Sequence, residues 1–158
     1  MGWQSFVYGR IIGKRYNYGG NIHLDNDRLL FHRLNKMIID ELPTEDEYPQ
    51  ITKLMFNTPT VKFGDGLYKD QVITFGASYK EVYDDWKDWL IKFENLLSKL
   101  YWNNAIVYLE TENWDETQIF TWKNNNTSPF TGNENNTKDN WELGGHYPDF
   151  IKNDFKLR

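Results

Sequence analysis

Residues 78–101, SYKEVYDDWKDWLIKFENLLSKLY, contain the pattern that decides the fold. Their apolar side chains recur at steps of three and four residues, which on a helix form one continuous stripe that must pack against another layer. Ser78 and Glu81 have the S-x-x-E spacing of a reciprocal capping box, so a helix is predicted over about 79–101. The two tryptophans inside the stripe are predicted to be core residues. The stripe consists of Tyr79, Val82, Tyr83, Trp86, Trp89, Leu90, Phe93, Leu96, Leu97, Leu100 and Tyr101.

The segments on either side of this helix show strand and helix patterns in turn. An earlier helix is predicted over 26–41, where apolar residues again recur at steps of three and four and Pro43 ends the pattern. The order β-α-β-β-α-β-β predicts an α+β fold in which two amphipathic helices cover one face of a mainly antiparallel sheet, ferredoxin-like over its first elements. Aromatic and β-branched runs predict strands at 3–12, 51–56, 71–77, 105–111 and 117–122. The first strand is apolar on both faces, which predicts a central place in the sheet.

The length and the aromatic content bound the domain organisation. A chain of 158 residues with 17% aromatic side chains suits one ordinary globular domain over 1–158 with a large core. Residues 123–145 are dominated by Asn, Thr and Gly without periodicity, so they are predicted to form a flexible surface excursion. The tail is predicted to form one short helix after Pro148.

Charge and cysteine content argue against several classes of function. The formal net charge of −5 and an isoelectric point of about 5.2 argue against nucleic-acid binding, which needs a surplus of Lys and Arg on one face. Zero cysteines exclude disulfides, thiolate zinc sites and cysteine nucleophiles. The N-terminal stretch has no pattern of a secretory leader, and no window of about 18 apolar residues predicts a membrane span. A cytoplasmic protein with no membrane partner is therefore expected.

Familiar catalytic and cofactor motifs do not occur in the sequence. His23, His32 and His146 stand far apart, so no metal site is expected. No Gly-rich phosphate loop and no G-x-S-x-G elbow occurs, so no cofactor and no serine nucleophile are expected. Glu110 and Glu112 project from one face of a predicted strand at roughly 7 Å, which leaves a small carboxylate-pair hydrolase as an alternative. Such pairs are frequent on solvated strand faces, so an enzyme is not expected.

Two acidic groups are the remaining candidates for function. The first has five acids within eight residues where the first helix ends, and the second surrounds Trp114 in the ENWDE turn. Acids at a helix C-terminus oppose the helix dipole, so helix stability does not explain Asp40 and Glu41. Acids beside aromatic side chains suit docking on a basic protein, because complementary charge speeds encounter and an aromatic anchor holds the complex. The candidate partner-binding residues are Asp40, Glu41, Glu45, Asp46, Glu47, Glu110, Glu112, Trp114, Asp115 and Glu116.

This physical profile predicts a non-catalytic protein-binding domain, a small acidic immunity or inhibitor protein that neutralises a basic, nuclease-like toxin. A carbohydrate-binding module is a second alternative, and it predicts that Trp114, Trp122 and Trp141 lie coplanar on one exposed face. The carboxylate-pair hydrolase instead predicts a cleft with at least one buried acid.

Overall fold

The centre of the fold is a six-stranded antiparallel sheet. The computed structural model of the chain describes residues 2–14, 30–59, 70–112, 114–125 and 136–156. The strands are β1 (Gln4–Gly13), β2 (Phe56–Asn57), β3 (Val72–Lys80), β4 (Trp102–Thr111), β5 (Gln118–Asn124) and β6 (Trp141–His146). Neighbouring strands follow the order β2-β3-β1-β4-β5-β6, so β1 lies in the middle of the sheet, as its sequence predicts.

Helices cover one face of this sheet. Within the described residues they are α1 (Leu30–Asp40), α2 (Trp86–Leu97) and α3 (Asp149–Lys156). The ring of Phe93 in α2 lies 5.3 Å from that of Phe75 in β3 and 5.0 Å from that of Trp122 in β5. Ile39 of α1 and Phe155 of α3 are buried in the same core cluster. The predicted α+β class, with a mainly antiparallel sheet and helices on one face, is confirmed.

The ferredoxin-like order of the first elements stays a prediction, because the connections through 15–29 and 60–69 lie outside the described residues. Residues 26–29 of the first predicted helix fall in the same gap. The end of α1 agrees with the sequence to within one residue. The amide of Leu42 donates to the carbonyl of Ile39 at 3.0 Å, and Pro43 follows directly, so the helix cannot continue.

The other face of the sheet carries no helix from the described part of the chain. Along β1, Val7 and Ile11 point into the core, whereas Phe6, Tyr8 and Arg10 are exposed. The strand is therefore apolar on both faces, as its sequence predicts, but only one of the two faces is buried. Aromatic side chains suit a pleated surface whether or not another layer covers it, so residue type alone did not distinguish the two faces.

The helix that follows β3 begins later than the capping-box spacing predicts. Ser78 lies within β3, where its hydroxyl accepts a hydrogen bond from the side-chain amide of Gln4 at 2.9 Å. Glu81 adopts a left-handed conformation with φ of 53°, and α2 starts only at Trp86. Tyr79 continues the inward-facing positions of β3, so the end of a period-two strand pattern was read as the start of the helical stripe.

Part of the segment predicted to be a surface excursion belongs to the sheet and the core. Asn136 is buried, and its Nδ2 donates to the carbonyl of Leu97 at 2.9 Å, which satisfies the C-terminal end of α2. Its Oδ1 accepts from Trp141 Nε1 at 2.9 Å, at the start of β6. Amino-acid composition does not distinguish a buried asparagine of this kind from an asparagine in a loop. This is why the sequence predicted a surface excursion where part of the segment belongs to the core. Residues 126–135 lie outside the described part of the chain.

Candidate functional site

One end of the sheet gathers the four acidic side chains that were selected from the β4–β5 hairpin. Here β1 begins beside the ends of β3 and β4, because Gln4 pairs with Lys80 and Ser5 with Thr111. The connection from β4 to β5 lies at the same end, and the Glu112 amide donates to the Gln4 carbonyl at 3.2 Å. We call the surface formed by residues 81–85, 110–112 and 114–117 the acidic end.

The acidic end contains a hollow of about 280 Å³. Every candidate that the sequence analysis placed in the β4–β5 hairpin contributes to its wall, so the structure brings these residues together. Glu110 is half-buried and accepts a hydrogen bond from Thr117 Oγ1 at 3.2 Å, whereas Glu112, Asp115 and Glu116 are exposed. We call this space the carboxylate hollow. Its lining residues are Phe6, Glu110, Thr111, Glu112, Trp114, Asp115, Glu116 and Thr117.

Trp114, the candidate aromatic anchor, is a half-buried side chain. Its ring centroid lies 5.5 Å from that of Tyr83 and 5.3 Å from that of Phe150. Phe150, on α3, leaves more than half of its surface in water, at 57% exposure. The three rings therefore form an aromatic patch next to the carboxylates, joining the hairpin to the turn before α2 and to the C-terminal helix.

The structure adds acids that the sequence analysis assigned to other roles. Glu81 was interpreted as part of a capping box and Asp84 falls inside the helix predicted over 79–101, but both belong to the acidic end with Asp85. The hydroxyl of Tyr48 donates to the Lys80 carbonyl in this region. Burial raises the pKa of Tyr48, and the charges on Asp85, Glu81 and Asp84 raise it further. The high density of acids in EVYDD was the signal that could have identified them.

The first acidic group, which follows α1, divides into structural and exposed members. Asp40 pairs with Lys36 one helical turn away at 2.7 Å, in an exposed ion pair. Asp46 is half-buried and accepts hydrogen bonds from Lys92 Nζ at 2.8 Å and from the Ile51 amide at 3.1 Å. Burial alone would raise the pKa of Asp46, but these hydrogen bonds and the charge of Lys92 hold it below its usual value. The exposed members are Asp40, Glu41, Glu45 and Glu47.

A second hollow, of about 410 Å³, adjoins the β4–β5 connection. Gln118 at its wall is only 2% exposed, and neither Oε1 nor Nε2 of its side chain has a hydrogen-bond partner among the described residues. His146 Nε2 lies 3.3 Å from Glu116 Oε2 on the exposed side. We call this space the glutamine hollow. Its lining residues are Trp114, Asp115, Glu116, Thr117, Gln118, His146, Tyr147 and Pro148.

An aromatic strip on the uncovered face of the sheet continues into the carboxylate hollow. The rings of Tyr8 and Tyr108 stack at 5.2 Å, and Phe6 lies opposite Glu110 in the β1–β4 register. Burial raises the pKa of Tyr8, and the charge and hydrogen bonding of Glu110 raise it further. The exposed aromatic surface and the carboxylates are therefore parts of one continuous region.

The sugar platform predicted for the carbohydrate-binding alternative is not formed. Trp122 and Trp141 are 1% and 7% exposed, because both occupy inward-facing strand positions under the helices. The buried acid of the structure is Glu94 of α2, which the sequence analysis did not single out. Its carboxylate accepts from Trp122 Nε1 at 3.2 Å and pairs with Lys138 at 3.0 Å, so the fold itself satisfies this charge.

Metal binding and membrane insertion find no support in the part of the chain that the structure describes. No group of three or more His, Asp or Glu side chains there is arranged to hold a metal ion. None of the helices in that part is long and apolar enough to cross a bilayer. Comparison with models of protein families, with curated proteins and with solved structures finds no match for this chain.

Proposed function

We propose that this chain is a non-catalytic binding domain that docks on a basic protein, as an immunity or inhibitor protein does when it neutralises a nuclease-like toxin. The observation that supports the proposal is the convergence of the hairpin carboxylates on one hollow beside an aromatic patch. Four acids and Trp114 share that wall. A surface of this kind offers negative charge and an apolar anchor at the same place.

Electrostatics favours a basic partner for this surface. The chain carries a formal net charge of −5, and the turn that holds the acids of residues 81–85 contacts the hairpin through the rings of Tyr83 and Trp114. Such a concentration of like charge attracts an oppositely charged protein and raises its association rate at low salt. The aromatic patch of Tyr83, Trp114 and Phe150 supplies the type of side chain that carries most binding energy in protein interfaces.

The environment of the carboxylates supports binding more than catalysis. A general acid or base is commonly tuned by burial or by a close partner. Glu112, Asp115 and Glu116 are instead exposed to water, and Glu94 is engaged by Trp122 and Lys138 inside the core. The exposed acids are therefore free to form charge pairs with a partner without first disrupting the fold.

The test uses the purified product of the reading frame next to this gene, if that product is basic. Its association rate is measured by stopped flow at several salt concentrations with the wild type and with the double variant Asp115→Asn, Glu116→Gln. The matched control is Asp139→Asn, Glu142→Gln, which removes the same charge from exposed positions outside the candidate set.

The hairpin variant should associate more slowly than the control, and the wild-type rate should fall as salt rises. Co-expression should also suppress any toxicity of the neighbouring product. Equal rates for the two variants would place the interface elsewhere on the protein. Absence of any complex with a basic neighbouring product would contradict the proposed function itself.

A further inference from the structure

We infer that the glutamine hollow binds an arginine side chain of the partner, with Gln118 and Glu116 as the hydrogen-bonding wall. This inference rests on the proposed function, because it names the group of the basic protein that enters the acidic end. The hollow measures about 410 Å³ and lies between the β4–β5 connection and residues 146–148. It is therefore a defined space rather than a flat charged surface.

The observation that points to a ligand is the side chain of Gln118. It is 2% exposed, yet neither atom of its amide group is hydrogen-bonded within the described residues. Its cross-strand neighbour is Leu109, and the next inward position on β5 is Phe120, so apolar side chains surround it on the sheet. Buried amide groups are nearly always hydrogen-bonded, and an unpaired one destabilises the protein that contains it. Recognition of a ligand would explain why a glutamine occupies this position.

Two residues near Gln118 also have buried polar atoms without a hydrogen-bond partner among the described residues. The hydroxyls of Ser5 and Thr111 are buried without a partner among the described residues, and the two residues are paired across β1 and β4. Thr111 also lines the adjoining carboxylate hollow. Several of the buried polar atoms that lack a partner among the described residues therefore lie close to Gln118.

The chemistry of the wall favours a guanidinium group. Asp115 and Glu116 supply negative charge, while the rings of Trp114 and Tyr147 supply flat apolar surface. Arginine combines a planar cation that stacks on aromatic rings with a fork of five N–H donors, and it loses less hydration on burial than lysine does. Two of its N–H groups would donate to Gln118 Oε1 and to the Glu116 carboxylate. A peptide carbonyl of the partner would accept from Gln118 Nε2.

A bare metal ion fits the hollow less well than a polyatomic cation. Metal sites need several ligand atoms close to one point, and the described His, Asp and Glu side chains form no such group. An arginine side chain instead spreads its donors over several ångströms. The separation of Glu116 at the exposed side from Gln118 at the buried side suits that extended geometry.

The experiment titrates the protein with N-acetyl-arginine amide and follows the tryptophan fluorescence and amide NMR shifts. The lysine and citrulline derivatives serve as ligand controls, because the first changes the shape of the cation and the second removes its charge. The protein variants are Gln118→Met, which keeps the approximate shape but removes both polar atoms, and Gln118→Glu, which keeps an acceptor.

A second buried glutamine provides the matched protein control. Gln71 is 1% exposed, but its Oε1 accepts from Asn35 Nδ2 at 3.0 Å and its Nε2 donates to the His32 carbonyl at 3.2 Å. Gln71→Met removes the same atoms from a site where they are bonded, so it should lower the melting temperature. Gln118→Met should leave the melting temperature unchanged or raise it, because it removes unpaired buried groups.

The wild type should bind the arginine derivative at least roughly tenfold more tightly than either control ligand. Gln118→Met should abolish that preference, and Gln118→Glu should retain it. The inference fails if the arginine derivative shows no preference, or if Gln118→Met lowers the melting temperature as much as Gln71→Met does. With the basic partner, equal dissociation rates for the wild type and Gln118→Met would refute this inference but leave the proposed function intact. Arginine binding without any basic protein partner would instead reject the proposed function.

Discussion

Replacement of Phe93 by Ala tests the packing that joins α2 to the sheet. Phe93 is fully buried, and its ring centroid lies within 5.3 Å of those of Phe75, Trp89 and Trp122. Burial of the side chain contributes about 1.5 to 3 kcal/mol. Three aromatic contacts and the cavity left by truncation add to this value, so the expected loss of unfolding free energy is about 3 to 5 kcal/mol.

The loss is measured by urea denaturation, followed by far-UV circular dichroism and by tryptophan fluorescence. The matched control is Phe6→Ala, because Phe6 is 44% exposed on the uncovered face of the sheet. We expect Phe6→Ala to lose much less unfolding free energy than Phe93→Ala. The slope of unfolding free energy against urea concentration should be similar for the wild type and both variants. A loss below about 1 kcal/mol for Phe93→Ala would refute the packing of this helix face against the sheet.

Three further predictions concern the acidic residues, Trp114 and metal ions. Asp46→Asn should lower the unfolding free energy by about 1 to 3 kcal/mol, whereas Glu45→Gln and Glu47→Gln should each change it by less than about 0.5 kcal/mol. Because the pKa of Asp46 is lowered in the folded protein, its contribution should be present above about pH 4 and disappear as the pH falls through that lowered pKa, which urea titrations across acidic pH would show. Trp114→Ala should speed dissociation of a captured partner and should weaken the binding free energy by about 2 kcal/mol or more if the ring is a hot spot. An unchanged dissociation rate would show that Trp114 is not part of the interface. The melting temperature should be the same with and without a chelator, and a shift of several degrees would reveal a metal site.

The sequence predicts the core of this protein better than the boundaries of its elements. Trp86 and Trp89 are buried as the stripe of 78–101 predicts, since helical periodicity reports directly on the side that is covered. The start of α2 was misplaced because Tyr79 satisfies both the strand and the helix periodicity. The left-handed conformation of Glu81, which ends β3, has no reliable sequence signature in a residue of this type.

The candidate site was predictable in composition but not in shape. The ENWDE turn correctly indicated where Glu110, Glu112 and Trp114 would come together, because a hairpin keeps its residues close. The acids of residues 81–85 join them only through the pairing of β1 with both β3 and β4, a contact between segments far apart in the chain. The roles of Asp46 and Gln118 likewise depend on tertiary neighbours, so periodicity and composition did not distinguish them.

Three features that each lower stability lie close together at the acidic end. A non-glycine residue with positive φ, Glu81, begins a turn that also carries Asp84 and Asp85. Close by, carboxylates of the hairpin line one hollow, and the two polar side-chain atoms of buried Gln118 have no partner among the described residues. Each feature costs stability through backbone strain, like-charge repulsion or lost hydration. At the opposite end of the sheet, Asn35 is hydrogen-bonded to Gln71 and to both backbone groups of Tyr101, but Trp102 Nε1 and Asn103 Oδ1 are buried there without a partner among the described residues. What distinguishes the acidic end is instead the group of carboxylates that lines its two hollows, and this is the feature that the proposed docking on a basic protein requires.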